Sequence, residues 1–484
     1  MKSELNRNSS TPKVIEGFFS KQLIQVVLVA LFAFLLRVYH LNFQSLWLDE
    51  LYTMCIADPT HSVKEILNGL KTDFHPPLHY FLAHYYFRLV GFSDFTGRLL
   101  SVFIGIAGVI AIYFLGREMK DHRMGIIMAL VTAVNFYHVF HSQEVRMYIL
   151  LFLFAIVSVI FCLRAIRRNT WQEYIKFIIL TVLLLYTHYF GMFVFVGELF
   201  WMTMMVLFFK SADFKKVFIS CLAVVTFFLP WIPYILTASH RSHWMPAPKP
   251  WFFFNYLFDY TGRDPVVSVL FLLGLVLFLR RLIQLYRNKE NEKLAGYLLL
   301  SCLLFFVYIP PYLISQFKPV VQLRCTISGL PFLIAAMILG LESLGRRWSV
   351  VLYTLVMVSA LINLFFIRNY YATNTKEDFR SLAQVVDHLD VQEPVVSHYA
   401  LQFNYYFRQL HSGIAVIDPD STRPEDVLKN SRTFYVLNAH SNENLMTLSK
   451  YKNWQDYVKM DFVADTIYKS TFGKKESAVR FTER

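Results

Sequence analysis

The sequence predicts a polytopic α-helical membrane protein of about eleven spans that ends in a small α/β domain. Hydrophobic residues make up 56% of its 484 residues and charged residues only 17%, and its mean hydropathy is +0.41. A soluble domain carries nearer to a quarter charged residues. The apolar residues are grouped in blocks of about twenty, which is the length that crosses the hydrocarbon core of a bilayer.

Eleven apolar blocks are predicted to be spans: residues 22–41, 95–117, 123–141, 146–166, 174–188, 190–209, 216–237, 265–283, 294–315, 323–344 and 348–368. A further candidate, residues 77–91, is shorter. It carries His79, His84 and Arg88, and each of these is costly in hydrocarbon. We therefore predict that 77–91 is a helix resting on the outer leaflet.

The distribution of charge gives the orientation of the chain. The net charge is +13, yet residues 370–484 carry 14 basic and 15 acidic residues, so a net +14 lies in the membrane part. There the basic residues cluster between alternate spans, as the positive-inside rule requires. This pattern predicts a multi-pass protein of the cell (inner) membrane, with its N-terminus in the cytoplasm and its C-terminal domain outside. The pattern excludes nucleic acid binding as the reason for the positive charge. It indicates membrane lipids as the partners of residues 1–369.

Two domains are predicted. Residues 1–369 form the membrane domain, whose outward loop 42–94 is long for a connector without a function. In that loop Ser62 and Glu65 form a capping box, which predicts an interfacial helix. Residues 370–484 contain short β-like runs at 394–398, 414–417, 433–437 and 462–468 with helical stretches between them, which is typical of a small α/β domain. The five cysteines show no paired spacing that would indicate a disulfide framework or a cysteine metal site.

The first candidate for chemistry is the acidic pair Asp49 and Glu50, which follows Ser45-Leu-Trp-Leu just beyond the first span. Carboxylates in this position are often solvated loop residues or helix caps. One of them is also well placed to act as a general base on an acceptor hydroxyl.

Further polar residues fall on the same outer side. His75 stands in Asp73-Phe-His75-Pro-Pro-Leu78, where the prolines fit the first turn of a helix and the imidazole could bind an anion or a metal. Ser142-Gln-Glu144-Val-Arg146-Met-Tyr148 joins spans three and four. Its Glu and Arg could pair with each other, although arginine is well suited to gripping a phosphate. Three other positions face the same way: Arg98, His188 and Arg324. Together these groups suggest a lipid-linked anionic substrate at the outer leaflet.

In this order, the motifs at Asp49, His75, Arg98 and Arg146 resemble those of family 39 glycosyltransferases of the GT-C superfamily. Relatives in that group include protein O-mannosyltransferases and the aminoarabinose transferase that acts on lipid A. The resemblance covers about residues 20–370. Each motif is short, but four in order with a fitting topology are fairly specific.

The resemblance implies a GT-C type fold, a polyprenyl-phosphate-linked sugar donor, an acceptor lipid, glycan or protein outside the membrane, and inversion at the sugar. It implies that Asp49 is the catalytic base with Glu50 as its acidic companion. The implied substrate-binding residues are His75, Arg98, Glu144, Arg146, Tyr148, His188 and Arg324. Some relatives bind a divalent metal near this loop, for which His75 and Glu144 are the candidates. One departure is Cys325, which stands where an aromatic residue commonly follows the span-ten arginine.

A transporter or flippase of a lipid-linked glycan is the alternative. Such proteins tend to show internal repeats and charges near the bilayer midplane. No repeat is evident here, and the charges are expected at span ends, which favours the enzyme.

Overall fold

The computed structural model describes residues 13–71, 73, 75–239, 246–428, 431–440, 451–469 and 477–483. The helices of the membrane part are α1 Lys13–Val38, α2 Leu48–Ile56, α3 Val63–Leu70, α4 Leu78–Val90, α5 Asp94–Met119, α6 His122–Val134, α7 Phe136–Ser142, α8 Tyr148–Arg168, α9 Trp171–Thr187, α10 Gly191–Leu207, α11 Phe214–Phe228, α12 Ile232–Ser239, α13 Phe252–Tyr260, α14 Pro265–Arg287, α15 Asn291–Phe317, α16 Leu330–Glu342 and α17 Arg346–Ile362. Short 3₁₀ turns at Leu229–Trp231 and Leu323–Gly329 and a π turn at Asn363–Ile367 extend three of them.

The predicted membrane fold is confirmed, because every predicted apolar block is helical. Within the described residues, eight helices are long and apolar enough to cross a membrane, and the bent pair α6 and α7 makes nine. The other two blocks form α9 and α10, which have 17 residues each and lie at the lower limit for a span. The count of eleven therefore stays a prediction.

One predicted span, 123–141, is not a single straight helix. It breaks at Asn135, and its two parts, α6 and α7, meet at an angle of 66°. The Asn135 side chain caps α7 by accepting a hydrogen bond from the His138 backbone N–H at 3.0 Å. The carbonyls of Thr132 and Ala133, which a continuous helix would satisfy, instead accept from the buried Arg37 guanidinium at 3.3 and 3.0 Å. The break turns the following segment, which carries Glu144 and Arg146, toward the outer loop.

The outer loop 42–94 folds into α2, α3 and α4. The predicted capping box of α3 is confirmed, since Ser62 Oγ accepts from the Glu65 N–H and Glu65 Oε2 accepts from the Ser62 N–H, at 3.3 and 2.7 Å. In α4, His84 is buried and its Nδ1 lies 2.9 Å from the Asp58 carbonyl oxygen. Of the three polar side chains that argued against a span at 77–91, His84 and Arg88 thus bind backbone carbonyls, whereas neither ring nitrogen of the buried His79 has a hydrogen-bond partner among the described residues. Whether α4 rests on the leaflet stays a prediction.

The C-terminal part is the predicted α/β domain. Its helices are α18 Phe379–His388, α19 Ala400–Gln409, α20 Pro424–Leu428 and α21 Lys452–Asp461, and its strands are β1 Val395–Val396, β2 Val416–Ile417, β3 Thr433–Asn438, β4 Phe462–Lys469 and β5 Ser477–Glu483. The strand order is β2-β1-β3-β5-β4, with β1 parallel to β2 and β3, and β5 antiparallel to β3 and β4. Four strands were predicted; β5, which lies inside the sheet, was not.

This domain packs directly on the outer loop through α19. The hydroxyls of Tyr405 and Tyr406 donate to the two oxygens of Asp94 at 2.9 and 3.0 Å. Tyr406 also accepts from the Leu46 backbone N–H at 2.9 Å, just before α2 begins. Arg408 pairs with Asp58 beyond the end of α2, at 3.2 Å. Helix α2 is therefore held at both ends by the C-terminal domain.

Candidate active site

Helix α2 presents its two acidic residues to different surroundings. Asp49 and Glu50 stand next to each other in the first turn, where neighbouring side chains point about 100° apart. The Asp49 side chain is 26% exposed, whereas that of Glu50 is fully buried. The two carboxylates accordingly belong to two separate groups of charged residues.

Asp49 faces two arginines. Its Oδ2 lies 2.5 Å from Arg324 Nη1, in the 3₁₀ turn before α16. Arg146 Nη1 donates to the Asp49 backbone carbonyl at 3.0 Å and to Thr53 Oγ1 at 2.9 Å. Burial acts most strongly on the pKa of Asp49 and would raise it. The positive charges of Arg146, Arg324 and His75 together outweigh burial and lower the pKa, so the carboxylate is ionised at neutral pH.

His75 lies beside this group and is oriented by Asp73. The Nδ1 of His75 is 2.9 Å from Asp73 Oδ1, and the Tyr80 hydroxyl donates to the other oxygen of Asp73. Burial would raise the pKa of Asp73, but His75 and Arg146 lower it to about 2. An ionised Asp73 that binds Nδ1–H leaves the Nε2 of His75 as the atom available to a ligand.

The rings of His188 and Tyr148 lie beside these charged residues. The ring centroid of His188 lies 5.4 Å from that of His75 and 5.9 Å from that of Tyr148. The guanidinium groups of Arg146 and Arg324 lie 5.9 and 5.6 Å from the Tyr148 ring centroid. We call this set the Asp49 cluster: Asp49, Asp73, His75, Arg146, Tyr148, His188 and Arg324.

Several buried donors in and beside the cluster have no hydrogen-bond partner among the described residues: Trp47 Nε1, Arg146 Nε and His188 Nε2. His188 Nδ1 accepts from the Phe190 N–H at 3.1 Å. A neutral imidazole whose Nδ1 accepts in this way carries its proton on Nε2. Unsatisfied buried donors are costly, and a bound anion would satisfy them.

The second group surrounds Glu50, and we call it the Glu50 cluster: Glu50, Arg98, His141, Glu144 and Lys376. Arg98, 2% exposed, donates to Glu50 Oε1 and Oε2 at 3.1 and 2.9 Å. Its remaining donors go to the carbonyls of Leu41, Gln44 and Ser45 at 3.1, 2.6 and 2.8 Å. All five N–H groups of Arg98 are thus engaged, which favours a structural role over the predicted phosphate contact.

Glu144 lies deep in this second cluster. Its Oε2 is 2.9 Å from His141 Nδ1 and its Oε1 is 3.5 Å from Lys376 Nζ. The two metal candidates, His75 and Glu144, therefore contact different partners in different clusters. In the described ranges no group of three His, Cys, Asp or Glu side chains is placed to hold a metal ion. The residues present do not fit a divalent metal at His75 and Glu144.

Sequence reasoning missed three residues that the structure brings to the two clusters, namely Asp73, His141 and Lys376. Asp73 had a usable signal, since an acid two residues before a histidine often orients it. Lys376 had none, because it lies 326 residues from its partner Glu50 and in another domain.

Comparison with known proteins agrees with this architecture. Residues 74–235, about a third of the chain, match the family model for dolichyl-phosphate-mannose-protein mannosyltransferase. No curated protein matches the chain by sequence.

Solved structures with a similar fold include ArnT from Cupriavidus metallidurans in the apo state, with a TM-score of 0.60 and 9% identity over 95% of this chain and 98% of that one. The same ArnT bound to undecaprenyl phosphate gives a TM-score of 0.53, with 12% identity over 95% and 97%. The Archaeoglobus fulgidus oligosaccharyltransferase in complex with Zn and sulfate gives 0.53, with 10% identity over 85% and 68%. Part of the sequence thus matches a mannosyltransferase family model, and the fold is similar to those of ArnT and the oligosaccharyltransferase.

Proposed function

We propose that this chain is a membrane glycosyltransferase that moves a sugar from a polyprenyl-phosphate carrier to an acceptor on the outer side of the membrane. The observation that carries the proposal is the Asp49 cluster, in which the ionised Asp49 stands among two arginines and two histidines, with unpaired donors on Arg146 and His188. The fold it shares with ArnT, one structure of which holds undecaprenyl phosphate, supports a carrier of this class.

The phosphate of the carrier would lie among Arg146, Arg324, His75 and His188. Arginine binds phosphate oxygens in a bidentate manner, and Arg146 Nε is buried without a partner. Because the lipid phosphate leaves as an anion, no acid is needed to protonate it. The two arginines would stabilise the charge that develops on it during transfer.

Asp49 would act as the base that takes the proton from the acceptor hydroxyl. Arg324 Nη1 lies 2.5 Å from its Oδ2. A phosphate that draws Arg324 toward itself would free this oxygen for the acceptor, so the donor would bind first. A single displacement by the acceptor oxygen inverts the anomeric carbon.

We assign the site to the outer face of a cell (inner) membrane, with the N-terminus in the cytoplasm. The basic residues between alternate spans support this orientation. The acceptor would be a lipid, glycan or protein that reaches this face. The experiment that tests the function is mass spectrometry of envelope lipids and glycans from a strain lacking the chain. A missing sugar that the wild-type gene restores would support a transferase, whereas carrier-linked sugar retained on the inner leaflet would indicate a flippase.

Replacement of the cluster arginines is expected to weaken binding of the carrier. Arg324→Met should bind undecaprenyl phosphate roughly 10- to 100-fold more weakly, because a charge-assisted hydrogen bond contributes about 1.5–3 kcal/mol. Binding can be measured with the purified full-length protein in detergent. Arg263→Met, which changes an exposed arginine paired with Asp259, is the matched control and should bind like wild type. Equal binding by both variants would remove Arg324 from the phosphate site.

Glu198 is an acidic residue that departs from the expectation of charges at span ends, because it lies fully buried in the middle of α10. Neither of its carboxylate oxygens has a hydrogen-bond partner among the described residues. A buried carboxyl without a partner is neutral at pH 7. Glu198→Gln copies this neutral form and should leave sugar transfer within about twofold of wild type. Loss of function with normal folding would instead favour a proton-coupled transporter.

A further inference from the structure

The Glu50 cluster buries two carboxylates close together. Glu50 is 0% exposed and Glu144 is 2% exposed. Burial would raise the pKa of Glu50, but Arg98 and Lys376 lower it to about 2, so it is ionised. The pKa of Glu144 is also lowered, by Lys376 and His141 against burial. Arg98 balances one of these two negative charges, and His141, 2.9 Å from Glu144, adds a positive charge only when it is protonated, so a further cation stabilises the pair.

Lys376 supplies that cation. Its ammonium nitrogen lies 2.9 Å from Glu50 Oε2 and 3.5 Å from Glu144 Oε1, and its side chain is 7% exposed. The same nitrogen lies 5.7 Å from the ring centroid of Phe140. An ammonium group between two acidic side chains occupies the space that a metal ion held by both would need.

We propose that the ammonium group of Lys376 takes the place of a divalent metal ion between Glu50 and Glu144, and that the C-terminal domain positions the Asp49 cluster through it. The inference rests on the proposed function for the role of that cluster. Lys376 acts as a positioning residue, because its ammonium group contacts Glu50 and Glu144 and acts on the Asp49 cluster through them.

The route from Lys376 to the site is short. Glu50 is next to Asp49 on α2, and Glu144 stands two residues before Arg146. The Val145 backbone N–H, between those two, donates to Glu50 Oε1 at 2.9 Å. Lys376 thus ties the helix that carries the base to the turn that carries a phosphate contact.

The segment that carries Lys376 is itself anchored to the outer loop. The backbone N–H groups of Thr375 and Lys376 donate to Gln44 Oε1 at 2.8 and 3.1 Å. Leu48, the first residue of α2, donates its N–H to Glu377 Oε2 at 3.3 Å. Docking of the C-terminal domain therefore places the Lys376 ammonium group and at the same time fixes the start of α2.

Charge-paired variants of the full-length protein test the positioning role. Lys376→Met should bind undecaprenyl phosphate at least about tenfold more weakly, since it leaves the buried carboxylates one positive charge short. The double variant Lys376→Met with Glu144→Gln restores the balance and should return to within about threefold of wild type, as should Lys376→Arg. Lys452→Met, an exposed lysine of the same domain, is the control.

Manganese binding, measured by electron paramagnetic resonance on the same preparations, tests the replacement of the metal. Wild type should bind no Mn²⁺ at Glu50 and Glu144, and Lys376→Ala, which opens the space between two carboxylates, should bind it. Wild-type Mn²⁺ binding that is lost in Glu144→Gln would overturn the inference. So would a double variant that binds the carrier no better than Lys376→Met.

The results that would overturn the role of Lys376 differ from those that would overturn the proposed function. If wild type does not bind undecaprenyl phosphate, the carrier proposal fails. If wild type binds and Lys376→Met behaves like Lys452→Met, the carrier proposal stands and the role of Lys376 fails.

Discussion

Asp49→Asn is expected to lower sugar transfer roughly 10²- to 10⁴-fold, the usual contribution of a general base. The amide keeps the shape of the side chain but cannot accept the proton of the acceptor hydroxyl. Binding of undecaprenyl phosphate should be retained or become tighter, because the substitution removes a negative charge 2.5 Å from Arg324. Transfer is measured in membranes by mass spectrometry of the product, and binding with the purified protein. Asp465→Asn, an exposed acid of the C-terminal domain, should leave both unchanged.

Full transfer by Asp49→Asn would remove Asp49 from the chemistry and make Asp73, which binds His75, the next candidate. The pH dependence gives a second check. Because the pKa of Asp49 lies below its ordinary value of 3.8, the basic form is present throughout the neutral range. Titration of Asp49 should therefore cause no loss of rate between about pH 8 and pH 6, and wild-type losses in that range would come from another group.

Much of the fold could be predicted because hydrocarbon imposes a simple length and polarity rule. Each apolar block became helical, and polar side chains such as His84 correctly kept 77–91 apart from the long spans. The break at Asn135 could not be predicted from hydropathy. It depends on Arg37, which reaches from another helix to satisfy the carbonyls that the break exposes. Strand β5 was missed because a seven-residue run containing Arg480 gives only a weak alternating pattern.

The site residues that could be predicted are those at the outer ends of the spans. His75, Arg146, His188 and Arg324 were chosen because they lie on one side of the membrane, and the structure brings them together around Asp49. The same reasoning could not separate Arg98 from Arg146. Both side chains are buried, and they differ in their partners: all five donors of Arg98 are engaged, whereas Arg146 Nε has no hydrogen-bond partner among the described residues. Facing the same side of a membrane does not decide which arginine is structural.

Arg98→Met is accordingly expected to lower the free energy of unfolding by about 3–5 kcal/mol, rather than to weaken carrier binding alone. It leaves Glu50 with one buried cation instead of two and removes the donors for three backbone carbonyls of residues 41–45. Equilibrium unfolding in mixed detergent and SDS measures the loss. Arg480→Met breaks the exposed pair with Asp465 and should cost no more than about 1 kcal/mol.

Acid should act on the same interaction. The pKa of Glu50 is lowered from 4.5 to about 2 in the folded protein, so its ionised form stabilises the fold above pH 4.5, and this contribution is lost as the pH falls toward 2. In Arg98→Met the stability should depend less on pH between 4.5 and 2, because the pKa of Glu50 is lowered less. In Glu50→Gln the part of the pH dependence that comes from Glu50 should be absent. The pair Glu50→Met with Arg98→Met removes both charges but leaves the carbonyls of Leu41, Gln44 and Ser45 without their donor. Its stability should therefore lie between those of Arg98→Met and wild type. A double variant no more stable than Arg98→Met would mean that the carbonyl contacts, rather than the ion pair, hold α5 to the start of α2.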